Sequence, residues 1–209
     1  MYYKQVCYKG ALATAPERTL MEDPRVLHRR AGENAADVIA RIPAERLGDP
    51  TPCTEWDVRG VINHMVNGNL RFAALIAGEP GPERGEDALG NDPLAAFRGS
   101  VGELCAAFDR EGVLDQTFPT PFGEAPGTML VSMRTCEMSI HTWDLAAATG
   151  QPRDLDPDLV AFAESMFRAR PIPRGGQSPF GPEQPVPDGA PAPDRLAAYV
   201  GRAVPPPGP

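Results

Sequence analysis

Proline and glycine divide this chain into apolar segments of helical period, and that punctuation limits the folds it can adopt. The 209 residues include 25 prolines and 21 glycines. Between them, apolar side chains recur every three or four positions, as on one face of a helix. Signals for β-strands are nearly absent. The pattern predicts four main helices, a fifth helix and a short final helix, over residues 22–42, 54–78, 92–110, 128–149, 156–170 and 194–202.

Local capping signals locate the ends of these helices. Asp23 precedes a proline, and an aspartate cap followed by proline suits a helix start. The second helix is predicted to begin with a capping box from Thr54 to Asp57 and to end at Gly78. Residues 118–127 are rich in proline and glycine, so they are predicted to form a turn region with a short extended excursion.

The predicted architecture is all-α. At this length folding buries about 70% of the unfolded surface, so the chain can form a hydrophobic core without metal or disulfide staples. Residues 171–193 are mostly proline, glycine and polar residues, which predicts a long irregular connection over the surface. We therefore expect a four-helix bundle followed by a Pro/Gly-rich C-terminal extension.

Charge and cysteine usage argue against several classes of function. The formal net charge is -8, and because no stripe of Lys and Arg is present, binding to nucleic acid is not expected. The four cysteines are far apart and form no Cys-x-x-Cys pair. This spacing argues against a zinc knuckle or a dense disulfide framework and favours a reduced, cytoplasmic location. No apolar run approaches the roughly 18 residues of a membrane span, so no membrane association is expected.

Three residues have the types and the spacing of a metal site. Glu137 and His141 are one turn apart on the fourth predicted helix, so both project from the same face. His64, on the second predicted helix, adds another imidazole. Two imidazoles and one carboxylate form a complete protein ligand set for catalytic zinc, with a fourth position left for water or substrate, and they also suit non-haem iron.

A purely structural interpretation of these residues is also open. A Glu-x-x-x-His pair occurs often by chance on solvated helices, and a single histidine in an apolar helix is commonly a hydrogen-bonded core residue. However, Met133 and Ile140 make the surroundings of Glu137 apolar, where an unpaired carboxylate would be costly. The sequence therefore predicts that a cationic group meets Glu137.

Other polar residues are predicted to line the same site. Arg134 and Asp144 flank the pair on the same helix face and are the candidate catalytic residues. Arg134 is predicted to act as an anion anchor or as a partner of Glu137, and Asp144 as the acceptor for a ligating imidazole. The alternative is an ordinary ion pair that stabilises the bundle. Asn67, one turn from His64, is the candidate cofactor-binding residue.

The remaining reactive or aromatic residues are assigned structural roles. Trp56 and Trp143 are expected to pack where the helices enter the core. Cys53 and Cys136 are expected to be buried structural thiols, because the sequence shows no charge partner for either. His28 lies outside the metal pattern, and a surface or packing role is expected for it.

Two stretches, "TPCTEWDVRGVINHMVNGN" and "RTCEMSIHTWDLAAATGQ", resemble the mycothiol-dependent maleylpyruvate isomerase-like proteins of the DinB superfamily. The likeness runs from about Asp23 to the end, and the tail "FGPEQPVPDGAPAPDRLAAYVGR" is similar to the family's tail. The resemblance implies a DinB-like four-helix bundle with a crossover connection over 23–209. It also implies a divalent metal, most often zinc with nickel or iron as alternatives, bound by His64, Glu137 and His141.

The chain differs from full isomerases of this family at both ends. It ends before the position of a separate C-terminal sterol-carrier-like domain, so it resembles a shorter branch. Residues 1–22 lie outside the likeness and are expected to be an N-terminal extension, which is either a disordered arm or sequence before a natural start at Met21.

Three functions remain open at this point. The resemblance implies an enzyme that uses the metal to activate a thiol cofactor, mycothiol, for transfer or isomerisation of a small molecule. The alternatives are a thiol-independent Lewis-acid enzyme such as a hydrolase, cyclase or dehydratase, and a non-catalytic metal-binding protein. A small-molecule substrate is the expected partner, and the chain is expected to be a monomer or a homodimer.

Overall fold

Six α-helices and one β-hairpin form the described part of the chain in the computed structural model. It describes residues 23–83, 85–120, 123–169, 172, 174 and 180–206, so the extension predicted over 1–22, with the start at Met21, lies outside the described residues. The elements in chain order are α1 Pro24–Ala40, α2 Val58–Ala77, α3 Pro93–Phe108, β1 Thr117–Thr120, β2 Gly123–Pro126, α4 Gly127–Ala148, α5 Pro157–Arg168 and α6 Ala192–Tyr199. Short 3-10 turns lie at Ala44–Arg46 and Val113–Asp115.

The first four helices form a bundle in which helices that follow one another in the chain can lie at diagonally opposite corners. Helix α1 packs mainly on α3 and α4, and α2 packs mainly on the same two helices. Consecutive helices α1 and α2 are therefore at opposite corners of the bundle, and so are α3 and α4. Helix α5 lies against α4, and α6 against α5 and α4. The all-α four-helix bundle with a crossover connection, predicted above, is confirmed.

The predicted helix ends are largely those of the structure. Asp23, Asp92 and Asp156 each cap the following helix through a carboxylate that accepts a backbone N–H, and each is followed by proline. Helix α2 ends at Gly78 in the left-handed conformation, with φ of 73°. At these three N-termini and at the C-terminus of α2, the caps satisfy backbone groups that would otherwise be unpaired.

Helix α2 begins later than predicted. Its N-cap is Asp57, whose carboxylate accepts a hydrogen bond from the backbone N–H of Gly60 at 2.7 Å. The capping box predicted to begin at Thr54 is therefore wrong. Residues 50–57 form a separate hydrogen-bonded turn instead, which is closed by a bridge between its two ends.

Residues 117–120 and 123–126 form the short extended excursion predicted for this region. Strands β1 and β2 pair antiparallel, with Thr117 opposite Pro126 and Thr120 opposite Gly123. Phe118 and Ala125 pack into a second apolar cluster together with the ends of α2, α3 and α4. The hairpin therefore closes one end of the bundle.

The C-terminal extension contains one helix and irregular chain. Residues 180–190 form neither helix nor strand, as predicted. The final helix was predicted over 194–202, whereas α6 begins two residues earlier and ends three residues earlier. It ends early because Gly201 turns the chain with φ of 97°. Within the described residues, no helix combines the length and the apolar character needed to cross a membrane.

His28 belongs to the hydrophobic core. It is 1% exposed, and its ring packs edge-on against Phe108 with centroids 5.2 Å apart. Neither ring nitrogen has a hydrogen-bond partner among the described residues. Burial, together with the positive charges of Arg134 and Arg29, lowers the pKa of His28 to about 3.

This buried imidazole should make stability depend on pH. Below the unfolded pKa of about 6.5, the unfolded chain binds a proton that native His28 does not. Stability is therefore lost as the pH falls from 6.5 towards 3. Between pH 7 and pH 5, we expect the free energy of unfolding of the wild type to fall by about 2 kcal/mol more than that of His28→Leu. Urea denaturation of both proteins at both pH values measures this difference. Equal pH dependence of stability in the two proteins would contradict a neutral, buried His28.

Candidate metal centre

Helices α2 and α4 bring the three predicted ligands together. His64 projects from α2, and Glu137 and His141 project from α4. His64 Nε2 lies 2.8 Å from Glu137 Oε1, and the imidazole rings of His64 and His141 are 5.1 Å apart at their centroids. One ligand atom from each residue lies within 4.8 Å of the other two.

These three side chains fit a divalent ion. Ligands at about 2.0 to 2.1 Å from a tetrahedral ion are about 3.3 Å from one another. In this trio one pair of ligand atoms is 2.8 Å apart and all of them lie within 4.8 Å of one another, so small side-chain adjustments would reach that arrangement. The side chains of His64 and Glu137 are 35% and 29% exposed, whereas that of His141 is 7% exposed. The trio therefore has an inner wall and an outer side open to solvent, where a further ligand could approach.

Glu137 is kept ionised by its neighbours. Burial would raise the pKa of this carboxyl, but the positive charge of Arg134 and the hydrogen bond with His64 outweigh burial and lower the pKa well below its ordinary value. An Nη1 atom of Arg134 pairs with Glu137 Oε2, which leaves Oε1 on the side of the two imidazoles. Arg134 is thus the cationic group that the apolar surroundings of Glu137 predicted.

The Arg134 side chain is held in place by hydrogen bonds to α2 on the side away from Glu137. Its guanidinium is 1% exposed, and Nη2 donates to the carbonyl of Met65 and, at 2.8 Å, to Oδ1 of Asn69. Asn69 donates in turn to Ser100, which donates to a carbonyl of α3. Because the guanidinium does not reach solvent, the geometry favours the role of partner to Glu137 over that of substrate anchor.

Sequence reasoning missed Asn69, although a signal was present. The apolar stripe of α2 includes Ile62, Met65 and Ala73, all of which are buried. Asn69 continues this stripe at helical spacing and is 0% exposed. A polar side chain in an apolar stripe needs a buried hydrogen-bond partner, and Arg134 supplies it.

Asp144 holds His141, the ligand at the inner wall of the trio. It is 0% exposed, and its Oδ2 lies 3.0 Å from His141 Nδ1. This contact assigns the ring proton to Nδ1 and leaves Nε2 as the free lone pair. Arg202 pairs with the same carboxylate, with Nε and Nη2 each 3.3 Å from an oxygen. Arg134 and Asp144 therefore have separate partners among the described residues rather than each other.

A second cluster of potential ligands shares His141. Cys53 and Asp144 also bring one atom each within 4.8 Å of this imidazole, and all three residues are buried. Burial raises the pKa of the Cys53 thiol to about 11, and Arg202 already supplies positive charge to Asp144. The neutral thiol and the occupied carboxylate make this cluster a poorer metal site than the first.

Trp56 covers the imidazole ligands. Its ring stacks on His64 with centroids 4.2 Å apart and an interplanar angle of 23°, and it meets the ring of His141 edge-on with centroids 5.9 Å apart. The sequence predicted only packing for this residue. The turn at 50–57 places it here, through hydrogen bonds from the Thr51 hydroxyl to two carbonyls of the turn.

Two further assignments agree with the sequence. Trp143 is 1% exposed and packs in the core, where its indole N–H donates to Asp194 at 2.8 Å. Cys136 is also buried, and burial raises the pKa of its thiol to about 12. Both Cys53 and Cys136 are free thiols.

Asn67 helps to hold the loop that follows α2. Its Nδ2 donates to the carbonyl of Glu86 at 2.7 Å, and Asn63 donates to the same carbonyl. Its Oδ1 is buried and has no hydrogen-bond partner within the described part of the chain. A role for Asn67 in cofactor binding stays a prediction.

Comparison with known proteins points to one family. The model of the mycothiol maleylpyruvate isomerase N-terminal domain matches residues 28–146, a range that contains His64, Glu137 and His141. Two proteins of Mycobacterium tuberculosis, from two strains and each named as uncharacterized, are 39% identical over 184 residues, which is 87% of this chain and 99% of theirs.

Two crystal structures show the same fold. They are the mycothiol-dependent maleylpyruvate isomerase and a point mutant of it, with TM-scores of 0.52 and 0.54 at 19% and 18% identity. Each alignment covers 66% of this chain and 65% of the isomerase chain. The matched region is thus slightly less than two thirds of the isomerase's length.

Gly68 should be required for the placement of Arg134. A Cβ atom built on Gly68 would lie 2.8 Å from Cζ of Arg134, whereas Gly102 on α3 has nothing within 4 Å. We expect Gly68→Ala to lower the free energy of unfolding by about 1 to 3 kcal/mol through overpacking. The matched variant Gly102→Ala should leave it unchanged or raise it by up to about 1 kcal/mol, because alanine favours helix. Urea denaturation compares the two, and equal stabilisation by both changes would refute the requirement.

Proposed function

Because the chain belongs to the mycothiol maleylpyruvate isomerase N-terminal domain family, we propose that it is a divalent-metal-dependent enzyme acting on a small molecule with a thiol cofactor of the mycothiol kind. The reaction class proposed is isomerisation or transfer. The observation that carries the proposal is the convergence of His64, Glu137 and His141, whose ligand atoms lie within 4.8 Å of one another.

The surrounding residues prepare two of these ligands for a cation. Arg134 occupies one oxygen of Glu137, and Asp144 occupies Nδ1 of His141. Each ligand therefore directs its remaining donor atom with little freedom to turn. A bound divalent ion would supply Lewis acidity, which lowers the pKa of a coordinating thiol from its ordinary value of about 8.5.

The chain offers few other groups for proton transfer near neutral pH. It has three histidines, of which two belong to the metal trio. The third, His28, is held neutral in the core by burial, which lowers its pKa to about 3. This scarcity favours chemistry in which a coordinated thiol acts as the nucleophile over chemistry that needs a separate imidazole base.

The family name supports an enzymatic function of the isomerase type. The solved isomerase is described as mycothiol-dependent and shares the fold of this chain at 18% identity. We extend the use of a thiol from that protein to this one on the basis of the ligand trio. We also propose a cytoplasmic location, since Cys53, Cys105 and Cys136 are free thiols and reducing compartments keep thiols free.

Metal content tests the first half of the proposal. We expect about one zinc, nickel or iron ion per chain in the wild type, by mass spectrometry, since a single His2Glu site holds one ion. His64→Ala and Glu137→Ala should lose it, and the control His28→Leu should keep it. Loading should also change the fluorescence of Trp56, whose ring stacks on His64. A folded wild type that cannot be loaded with any of these ions would refute the proposal.

Binding of mycothiol tests the second half. Isothermal titration should show saturable binding to the metal-loaded protein and none to the metal-free protein or to Glu137→Ala. Binding that is equally tight without metal would contradict thiol activation at this site. A metal-loaded protein that ignores thiols yet has activity would instead support a thiol-independent Lewis-acid enzyme.

A further inference from the structure

We propose that Arg202 is a positioning residue for the metal ligand His141 and acts through Asp144. The C-terminal extension thereby completes the metal centre of the bundle. This inference rests on the proposed function, because it concerns the same trio of ligands. Arg202 lies outside the range 28–146 matched by the family model, so the family match assigns it no role.

The contacts between Arg202 and Asp144 are buried on both sides. Nε and Nη2 of Arg202 are each 3.3 Å from one oxygen of the carboxylate, and the side chains are 7% and 0% exposed. In this environment water cannot replace a lost partner, so an unpaired Asp144 would carry a large desolvation penalty. Arg202 therefore fixes the place of the carboxylate as well as balancing its charge.

Asp144 transmits this placement to the ligand. Its Oδ2 receives both Nη2 of Arg202 and Nδ1 of His141. A carboxylate held from two directions cannot rotate away from the imidazole, so the ring keeps one orientation and one tautomer. Partners that act on a metal ligand in this way typically change metal affinity by about 10-fold to 100-fold when they are removed.

The fold places Arg202 by a defined turn. After α6, the N–H of Arg202 donates to the carbonyl of Ala197, and that of Gly201 donates to Ala198, which is the hydrogen-bond pattern of a Schellman motif. Gly201 has φ of 97°, and a Cβ on it would lie 2.6 Å from the backbone nitrogen of Gly181. Arg202 thus follows a glycine that no other residue could replace without strain.

Helix α6 is anchored to the bundle independently of Arg202. Asp194, in its first turn, accepts the indole N–H of Trp143 and both Nε and Nη2 of Arg153. The pair between Arg153 and Asp194 is also mostly buried, with side chains 16% and 7% exposed. Arg153 therefore serves as a matched control, because it holds the same extension without pairing with Asp144.

Metal affinity tests the inference. The dissociation constant for Zn²⁺, from competition with a chromophoric chelator, should rise about 10-fold to 100-fold in Arg202→Met, with a smaller rise in Arg202→Lys, which keeps the charge but not the fork. The absorption spectrum of bound Co²⁺ should change in the same order. Arg153→Met should leave both within about twofold of wild type while lowering the melting temperature, because it leaves the buried Asp194 without its ion-pair partner.

A second background separates positioning from general weakening. In Asp144→Asn, which should itself weaken Zn²⁺ binding, adding Arg202→Met should cause no further loss, because the route to His141 is already cut. This double variant removes both buried charges, so it also serves if Arg202→Met alone does not fold. Wild-type affinity in Arg202→Met, or an equal further loss in the Asp144→Asn background, would overturn the inference. Wild type without Zn²⁺ binding would instead refute the proposed function.

Discussion

An ionised carboxylate that is partly buried in a helical bundle must be met by positive charge, and Glu137 imposes this condition on the structure around it. Arg134, one turn earlier on the same helix, meets it with a guanidinium that is 1% exposed. That guanidinium needs the space left by Gly68 and the amide oxygen of Asn69, so one charge on α4 dictates the residues of α2 that face it. Removing one member would leave a buried group unpaired, which costs more than the contact itself contributes.

His141, the other ligand on α4, follows the same physical rule with residues from a different part of the chain. His141 is hydrogen-bonded to Asp144, and the charge of Asp144 is balanced by Arg202. Both supporting arginines are almost fully buried, and buried ion pairs contribute little net stability because desolvation offsets their attraction. Their effect lies in geometry, since ligands held by packed partners keep the arrangement that a cation requires.

Much of the fold and the three ligand residues could be predicted, because both depend on local patterns. Helical period and aspartate caps are short-range properties, and the spacing of Glu137 and His141 places them on one helix face whatever the rest of the chain does. The start of α2 was harder, since Thr54 and Asp57 are both good caps and only the closed turn at 50–57 decides between them. The stacking of Trp56 on His64 depends on the same closed turn, and the pairing of Arg202 with Asp144 depends on how the C-terminal extension folds back against α4. Helical period and capping signals record neither.

The crossover connection makes metal binding relevant to the stability of the whole bundle. Because α1 and α2 occupy opposite corners, α2 becomes a neighbour of α4 although α3 and the hairpin separate them in the chain. An ion held by His64 and His141 would therefore tie together two helices that are distant in sequence and, through Asp144, the C-terminal extension. Anything that binds only the folded state stabilises it, by about 2.7 kcal/mol at a free concentration 100 times the dissociation constant. In this chain the bound ion would stabilise the contact between α2 and α4. The same contact brings the ligands together, so metal binding and tertiary structure are coupled.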